Sequence, residues 1–151
     1  MVVGVSMTHE LQMMLRAAVD EFGRIDILVN NAGILGKRQS FSQSTQDDWD
    51  PVLKTNLIGV FKCTLEALKH MIRAKAGKIV NSASRAALEG DPLEPIYATT
   101  KAGMISFTKS LASELAEHNI DVNSTAPGLM KTRISQDISD DQREAYIRTI
   151  A

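Results

Sequence analysis

The chain has 151 residues, of which 44% are hydrophobic and 23% charged, and its formal net charge is −1. This length is enough for one domain with its own core, and the composition is that of an ordinary globular protein. The near-zero charge and the absence of a long apolar run argue against a nucleic-acid partner and against a membrane. Cys63 is the only cysteine, which excludes an internal disulfide framework and predicts a reducing, cytoplasmic location. The three histidines lie far apart in sequence without metal-ligand spacing, so we expect no metal.

The first half of the chain alternates between helical and strand patterns. Thr8 is a candidate cap for a helix that Gly23 ends. The short, nearly continuous apolar run in "RIDILVNNAG" predicts a strand that is buried on both faces. "QSTQDDWD" opens a second helix, in which Thr45 and Asp48 have capping-box spacing, and we expect it to run to about Arg73. The apolar positions of the first helix are Leu11, Met14, Leu15, Ala18 and Phe22.

The second half continues the alternation. "AGKIVNSAS" predicts a buried strand, "YATTKAGMISFTKSLASELAEHN" a long helix, and "IDVNSTAPG" a third strand that Pro127 and Gly128 stop. The tail predicts one more helix, capped near Ser139. Strands that alternate with helices predict an α/β fold with a parallel sheet, whose binding site lies beyond the carboxyl ends of the strands. The segments at those ends, "NNAG", "NSAS" and "TAPGLMKT", are polar or small, as a cleft lining would be.

Tyr97 and Lys101 are separated by one helical turn in "IYATTKAG", so they share a helix face. The charge of a nearby lysine favours a tyrosinate, and a free tyrosine has a pKa near 10, too high for proton transfer near neutrality. The spacing therefore indicates a tyrosine whose pKa is lowered for acid–base chemistry. Taken alone, it also fits an ordinary pair of surface residues.

Asn56 lies in the middle of an apolar stripe of the second predicted helix. A buried amide is costly without partners, so it must bond to something specific, either at a functional site or in the backbone of the core. Gly59 weakens the helix nearby and permits a local distortion that frees a carbonyl. The stripe consists of Trp49, Val52, Leu53, Val60, Cys63 and Ala67.

Ser84 ends the second strand and is expected at the same cleft. A serine can donate a hydrogen bond to a carbonyl oxygen without being a nucleophile, although a serine that merely ends a strand fits as well. The sequence contains no G-x-S-x-G elbow and no well-placed histidine, which argues against a serine hydrolase.

Five motifs occur together in this order: "LVNNAG", Asn56 in "KTNLIGVF", Ser84 thirteen residues before Tyr97, "YATTK", and "APGLMKT". In order and spacing they resemble the short-chain dehydrogenase/reductase family, over nearly the whole chain. Within that family the chain looks most like the 3-oxoacyl-(acyl-carrier-protein) reductases, which the segment "SDDQREAYIRTIA" also resembles. The resemblance implies a single partial dinucleotide-binding domain over residues 1–151. Its fold would be a Rossmann-like parallel sheet with helices on both faces, truncated at both ends.

The resemblance also implies an NAD(P)-dependent oxidoreductase that acts on a small carbonyl or alcohol substrate, free or bound to a carrier. Tyr97 would be the acid that protonates the carbonyl oxygen, and Ser84 would hydrogen-bond to the same oxygen. Lys101 would lower the pKa of Tyr97 and hold the nicotinamide ribose, and Asn56 would hold a water that relays protons to Lys101. The residues expected to bind NAD or NADP are Val5, Asn31, Ala32, Gly33, Tyr97, Lys101, Pro127, Gly128, Met130 and Thr132.

Two features of the family are absent from this sequence. It contains no T-G-x-x-x-G-x-G turn, which receives the cofactor pyrophosphate in relatives, and no strand that precedes "VVGVS", itself similar to the family's third strand. We expect the three later strands to pair as neighbours, with the strand in "DILVNN" at an open edge. Two interpretations therefore remain: part of an NAD(P)-dependent enzyme, or a non-catalytic remnant or interaction module. In relatives the helices that start near Thr45 and Tyr97 pack against partner subunits, which predicts a homo-oligomer.

Overall fold

A computed structural model describes residues 8–130 and, beyond them, positions 132, 139, 141, 143, 144 and 148. The expected strand in "VVGVS", with Val5, lies outside these residues, and so does most of the expected C-terminal helix. The helices are α1 Thr8–Phe22, α2 Gln46–Leu53, α3 Gly59–Ala74, α4 Ala86–Glu89 and α5 Pro95–Leu115. The strands are β1 Ile27–Asn30, β2 Gly77–Ser82 and β3 Ile120–Thr125.

The three strands form a parallel sheet in the order β1-β2-β3, as predicted. Leu28, Ile79 and Val122 are neighbours across this register, so their side chains share one face of the sheet. All three are buried against α1, α3 and α5 in one apolar cluster that also includes Leu11 and Leu15 of α1. The core of the described residues therefore lies on this face.

The expectation of helices on both faces of the sheet is met on one face only, within the described residues. Ile27 and Val29 point to the opposite face from Leu28, and they are 60% and 59% exposed. Lys78 and Asp121, which align with Ile27, form an ion pair at the exposed surface. The apolar run in β1 correctly predicts a strand, but a run of this kind does not specify what covers its second face.

The helix boundaries agree closely with the sequence patterns. Gly23 ends α1 with φ +78°, and the side chains and backbone of Thr45 and Asp48 form the predicted capping box of α2. Phe22, expected on the apolar face of α1, is instead 75% exposed. It occupies the last position of the helix, where none of the described elements covers it.

A ladder of buried polar side chains runs below the carboxyl ends of β1 and β2. The Asn30 amide donates to Thr64 Oγ1 at 3.1 Å and to Asn81 Oδ1 at 2.8 Å, and Asn81 Nδ2 donates to Thr108 Oγ1 at 2.8 Å. These bonds join β1 and β2 to α3 and α5 and satisfy groups that would be costly to bury alone. These bonds hold the carboxyl ends of β1 and β2 in place, and the candidate site lies at this end of the sheet.

Candidate active site

One cavity of about 510 Å³ lies at the carboxyl ends of the strands, where the fold rule predicts a site. Its volume lies in the range of small-molecule sites. Ser84 follows β2, while Tyr97 and Lys101 lie in the first two turns of α5, and all three side chains reach this cavity. The other predicted site residues that line it are Asn31, Gly33, Pro127, Gly128, Met130 and Thr132. Ala32 and Asn56 are not part of the lining.

Lys101 is a buried cation at the wall of the cavity. It is only 4% exposed, and its Nζ donates to the backbone oxygen of Ser82 at 2.6 Å. Burial lowers the pKa of Lys101 from its ordinary 10.5 to about 8, because it disfavours the charged form. Lys101 Nζ lies 5.6 Å from the centroid of the Tyr97 ring, so its charge is close to the phenol without a hydrogen bond to it.

Tyr97 departs from the expectation that Lys101 lowers its pKa. Burial raises the pKa of Tyr97, the negative charge of Glu94 raises it further, and a hydrogen bond with Ser84 acts in the opposite direction. The physical reason is geometric, because the Lys101 ammonium is directed at the Ser82 oxygen and not at the phenol. Tyr97 therefore remains a protonated hydroxyl at neutral pH.

Ser84 is oriented by its own backbone surroundings. Its Oγ accepts a hydrogen bond from the Ala86 N–H at 3.2 Å, which leaves its proton for donation. Ser84 lies close enough to Tyr97 to lower its pKa, and both hydroxyl-bearing residues line the same cavity. A carbonyl oxygen placed there would meet two O–H donors.

Asn56 lies in a π-helical turn, Lys54–Ile58, between α2 and α3. The predicted helix is therefore continuous but distorted, just before Gly59, and such turns often occur at functional sites. The Asn56 side chain accepts from Ile34 N at 2.8 Å and donates to Ile34 O at 2.8 Å and to Thr100 Oγ1 at 3.3 Å. Its amide thus ties the loop after β1 to α5. This accounts for its burial, and its predicted role in holding a water stays a prediction.

Gly33 brings the backbone of that loop close to the site. A Cβ at this position would lie 3.3 Å from Asn56 Oδ1 and 3.5 Å from Lys101 Nζ. A Cβ at Gly33 would therefore make a tight contact with the Asn56 amide oxygen and an ordinary contact with the lysine.

Two residues of the cavity wall were missed by sequence reasoning. Glu94 is the residue before α5 and is only 7% exposed, and Arg38 of the loop after β1 forms an ion pair with it. Burial raises the pKa of Glu94, and Arg38 acts against that rise. Pro95 marks the helix start and so could have indicated Glu94, whereas no local pattern indicates that Arg38 reaches it.

Among the described residues, no three His, Cys, Asp or Glu side chains are grouped so that they could hold a metal ion. In the same part of the chain, no helix combines the length and the apolarity that crossing a bilayer requires. Besides hydroxyl groups, the polar side chains that line this cavity are Asn31, Lys101, Glu89, Asp91 and the Arg38–Glu94 ion pair.

The family model described as short chain dehydrogenase matches residues 1–143. The chain is 35% identical over 150 residues to the 3-oxoacyl-(acyl-carrier-protein) reductase FabG of Vibrio cholerae, covering 99% of this chain and 61% of that protein. The chain therefore spans about three fifths of the length of this relative.

Levodione reductase and ElxO with NADP bound are two of the solved structures whose folds are similar to that of this chain. Levodione reductase superposes with a TM-score of 0.90 at 32% identity, over 99% of this chain and 60% of that one. ElxO with NADP bound superposes with a TM-score of 0.84 at 35% identity, over 93% of this chain and 56% of that one.

Proposed function

The chain belongs to the short-chain dehydrogenase/reductase family, and we propose that it carries the catalytic part of an NAD(P)-dependent oxidoreductase that interconverts a carbonyl and a secondary alcohol. The observation that carries this proposal is the meeting of Tyr97, Ser84 and Lys101 at one cavity. The neighbouring hydroxyls of Ser84 and Tyr97 and the buried ammonium beside the phenol supply the groups this reaction needs. When bound, the reduced nicotinamide supplies the hydride.

Tyr97 is the proton donor in this proposal, and Ser84 orients the substrate. As the carbonyl oxygen gains negative charge, hydrogen bonds from both hydroxyls strengthen, and Tyr97 gives up its proton. Lys101 stabilises the tyrosinate that remains, since its ammonium is close and poorly solvated. The raised pKa of Tyr97 keeps the donor protonated at neutral pH.

The cofactor would lie along the carboxyl ends of the strands. Asn31 follows β1 and is assigned to the adenosine ribose, and Ala32 and Gly33 after it are assigned to the cofactor groove, while Lys101 is assigned to the nicotinamide ribose. Met130 and Thr132 follow β3 and are assigned to the nicotinamide amide, and Pro127 and Gly128 before them to the cofactor. Val5, which we also assign to the cofactor, lies outside the described residues.

The substrate class we favour is a 3-oxoacyl thioester, bound to a carrier. It is supported by the likeness to a reductase named for that substrate. Ile58 and Leu65 are exposed apolar side chains on the helical segment that starts near Thr45. This segment would meet a partner subunit, so their exposure supports a homo-oligomer. An acetoacetyl thioester is the simplest small probe of this class.

Tyr97→Phe tests the proposal, because it removes the proton donor and keeps the ring. With NADPH or NADH and a panel of carbonyl compounds that includes an acetoacetyl thioester, we expect the variant to lose about 10²–10⁴-fold in kcat. Tyr146→Phe, which changes the chain's other tyrosine, is the matched control and should keep the activity. Full activity of Tyr97→Phe would contradict the proposed role. A folded chain that neither binds cofactor nor reduces any substrate would favour the alternative, a non-catalytic interaction module.

A further inference from the structure

The buried carboxylate of Glu94 is the charge beside Tyr97 that the proposed reaction does not use. Glu94 precedes the first turn of α5, and its backbone oxygen accepts from Ala98 N at 2.9 Å, so its position relative to Tyr97 is fixed by the helix. Glu94 and Tyr97 line the same cavity, one turn apart. A negative charge here disfavours a tyrosinate at Tyr97, which is the opposite of what Lys101 does.

Arg38 is the cation that faces this carboxylate, and the loop that carries it is held on both sides. Before Arg38, both backbone groups of Ile34 bond to the Asn56 amide. After it, Gln39 N donates to Leu93 O at 2.9 Å and Gln39 Nε2 donates to Asp48 Oδ2 at 3.0 Å. The guanidinium is therefore presented to Glu94 by a constrained segment.

Other charges near the site do not substitute for Arg38. Asp91 adds a negative influence on Glu94, and Asp48 of α2 lies across the loop near Lys37. Glu89, which also lines the cavity, is paired with Arg85. Lys101 is the cation on the tyrosine's own helix, directed at Ser82 O.

We propose that Arg38 is a positioning residue for the proton transfer, which neutralises the buried Glu94 carboxylate and so leaves Lys101 to govern the charge of Tyr97. The inference concerns the same site and rests on the proposed function for its meaning in catalysis. The effect of these two charges on the ionisation of Tyr97 can be measured without catalytic turnover.

The chain offers a direct readout, because Tyr97 and Tyr146 are its two tyrosines. In a Tyr146→Phe background, the ultraviolet absorbance of tyrosinate reports the titration of Tyr97 alone. Glu94 is ionised throughout the alkaline range in which a tyrosine titrates, so the effect of Arg38 is fully present there. We expect Arg38→Ala to move the Tyr97 midpoint upward by about one pH unit and Glu94→Gln to move it downward. The double variant should fall between the two single variants, because it carries neither the carboxylate nor the guanidinium.

Two controls separate this charge effect from a loss of structure. Arg38→Lys keeps a cation at this position and should leave the Tyr97 midpoint close to the wild-type value. Arg24→Ala removes a surface ion pair with Asp26 and should not move the midpoint. Circular dichroism at each pH identifies any variant that unfolds. If Arg38→Ala unfolds, the midpoints of Arg38→Lys and Glu94→Gln are compared instead. An unchanged midpoint in both Arg38→Ala and Glu94→Gln would overturn the inference. If the midpoints shift as predicted but the protein has no reductase activity, the inference about Arg38 and Glu94 stands and the proposed function is rejected.

Discussion

At the residue scale, Lys101 is a charge that the fold holds at a thermodynamic cost. Its pKa falls from 10.5 to about 8 on burial, and one unit corresponds to 1.36 kcal/mol, so the cost at neutral pH is about 3 kcal/mol. Because the folded pKa lies below the unfolded one, the unfolded chain binds more protons between pH 8 and 10.5. Stability should therefore rise with pH across that window as far as Lys101 contributes.

Lys101→Met tests this cost. Methionine removes the buried charge at similar length but cannot donate to Ser82 O, so we expect a gain of about 1–2 kcal/mol in unfolding free energy at pH 7. The gain should shrink towards pH 10, where the folded wild type has lost the proton. Urea denaturation of both proteins at pH 7 and pH 10 measures it. A variant less stable than the wild type at pH 7, or a difference independent of pH, would contradict the burial argument.

The residues of the site were predictable to different extents. Tyr97 and Lys101 on one helix face and Ser84 after a strand were expected at one cleft, and all three line the same cavity, while their catalytic roles stay predictions. The position of Asn56 in an apolar stripe correctly indicated specific partners. The direction of the Tyr97 pKa was not predictable, because it depends on burial and on Glu94 and not on spacing. Arg38 was missed since its partner lies more than fifty residues away in sequence.

At the scale of elements, the loop between β1 and α2 positions the site. It supplies Gly33 and Arg38, and it approaches α2 so closely at Gly36 that a Cβ there would lie 2.6 Å from Val52 Cγ2. Gly36 also has φ +79°, a conformation that other residues adopt only with strain. The loop therefore depends on this glycine for two separate reasons.

A comparison of Gly36→Ala with Gly90→Ala separates the cost of the backbone angle from the cost of the contact with Val52. Gly90 has nearly the same backbone angle, φ +76°, but nothing lies within 4 Å of a Cβ there. Both variants place an alanine at a positive φ, which is strained, and only Gly36→Ala must also displace Val52. We expect Gly36→Ala to be less stable than Gly90→Ala by about 1–3 kcal/mol in denaturant unfolding. Equal midpoints for the two variants would mean that the contact with Val52 costs nothing.

Local sequence patterns predicted the elements themselves well. The capping box at Thr45 and the glycine stop at Gly23 follow from rules that involve only a few neighbouring residues. The π-helical turn at Asn56 was indicated only as a weakness near Gly59, because its position is decided by bonds to the distant Ile34. The short helix α4 follows β2 without an apolar period of its own and was not predicted.

At the scale of the whole molecule, the sheet is asymmetric. One face carries the core, and the other exposes Ile27 and Val29, with the Lys78–Asp121 ion pair beside them. The chain spans about three fifths of the length of the Vibrio cholerae relative. The candidate cavity opens at the strand ends, and Val5, which we assign to the same cofactor, lies outside the described residues.

The most direct test of the account is whether this chain binds a nicotinamide cofactor. The purified 151-residue protein would be titrated with NADPH and NADH, and the fluorescence of the cofactor followed. We predict saturable binding of at least one of them, weakened in Lys101→Met and unchanged in Tyr146→Phe. If a chain that unfolds cooperatively, and is therefore folded, shows no saturable binding of either cofactor, the central claim is contradicted.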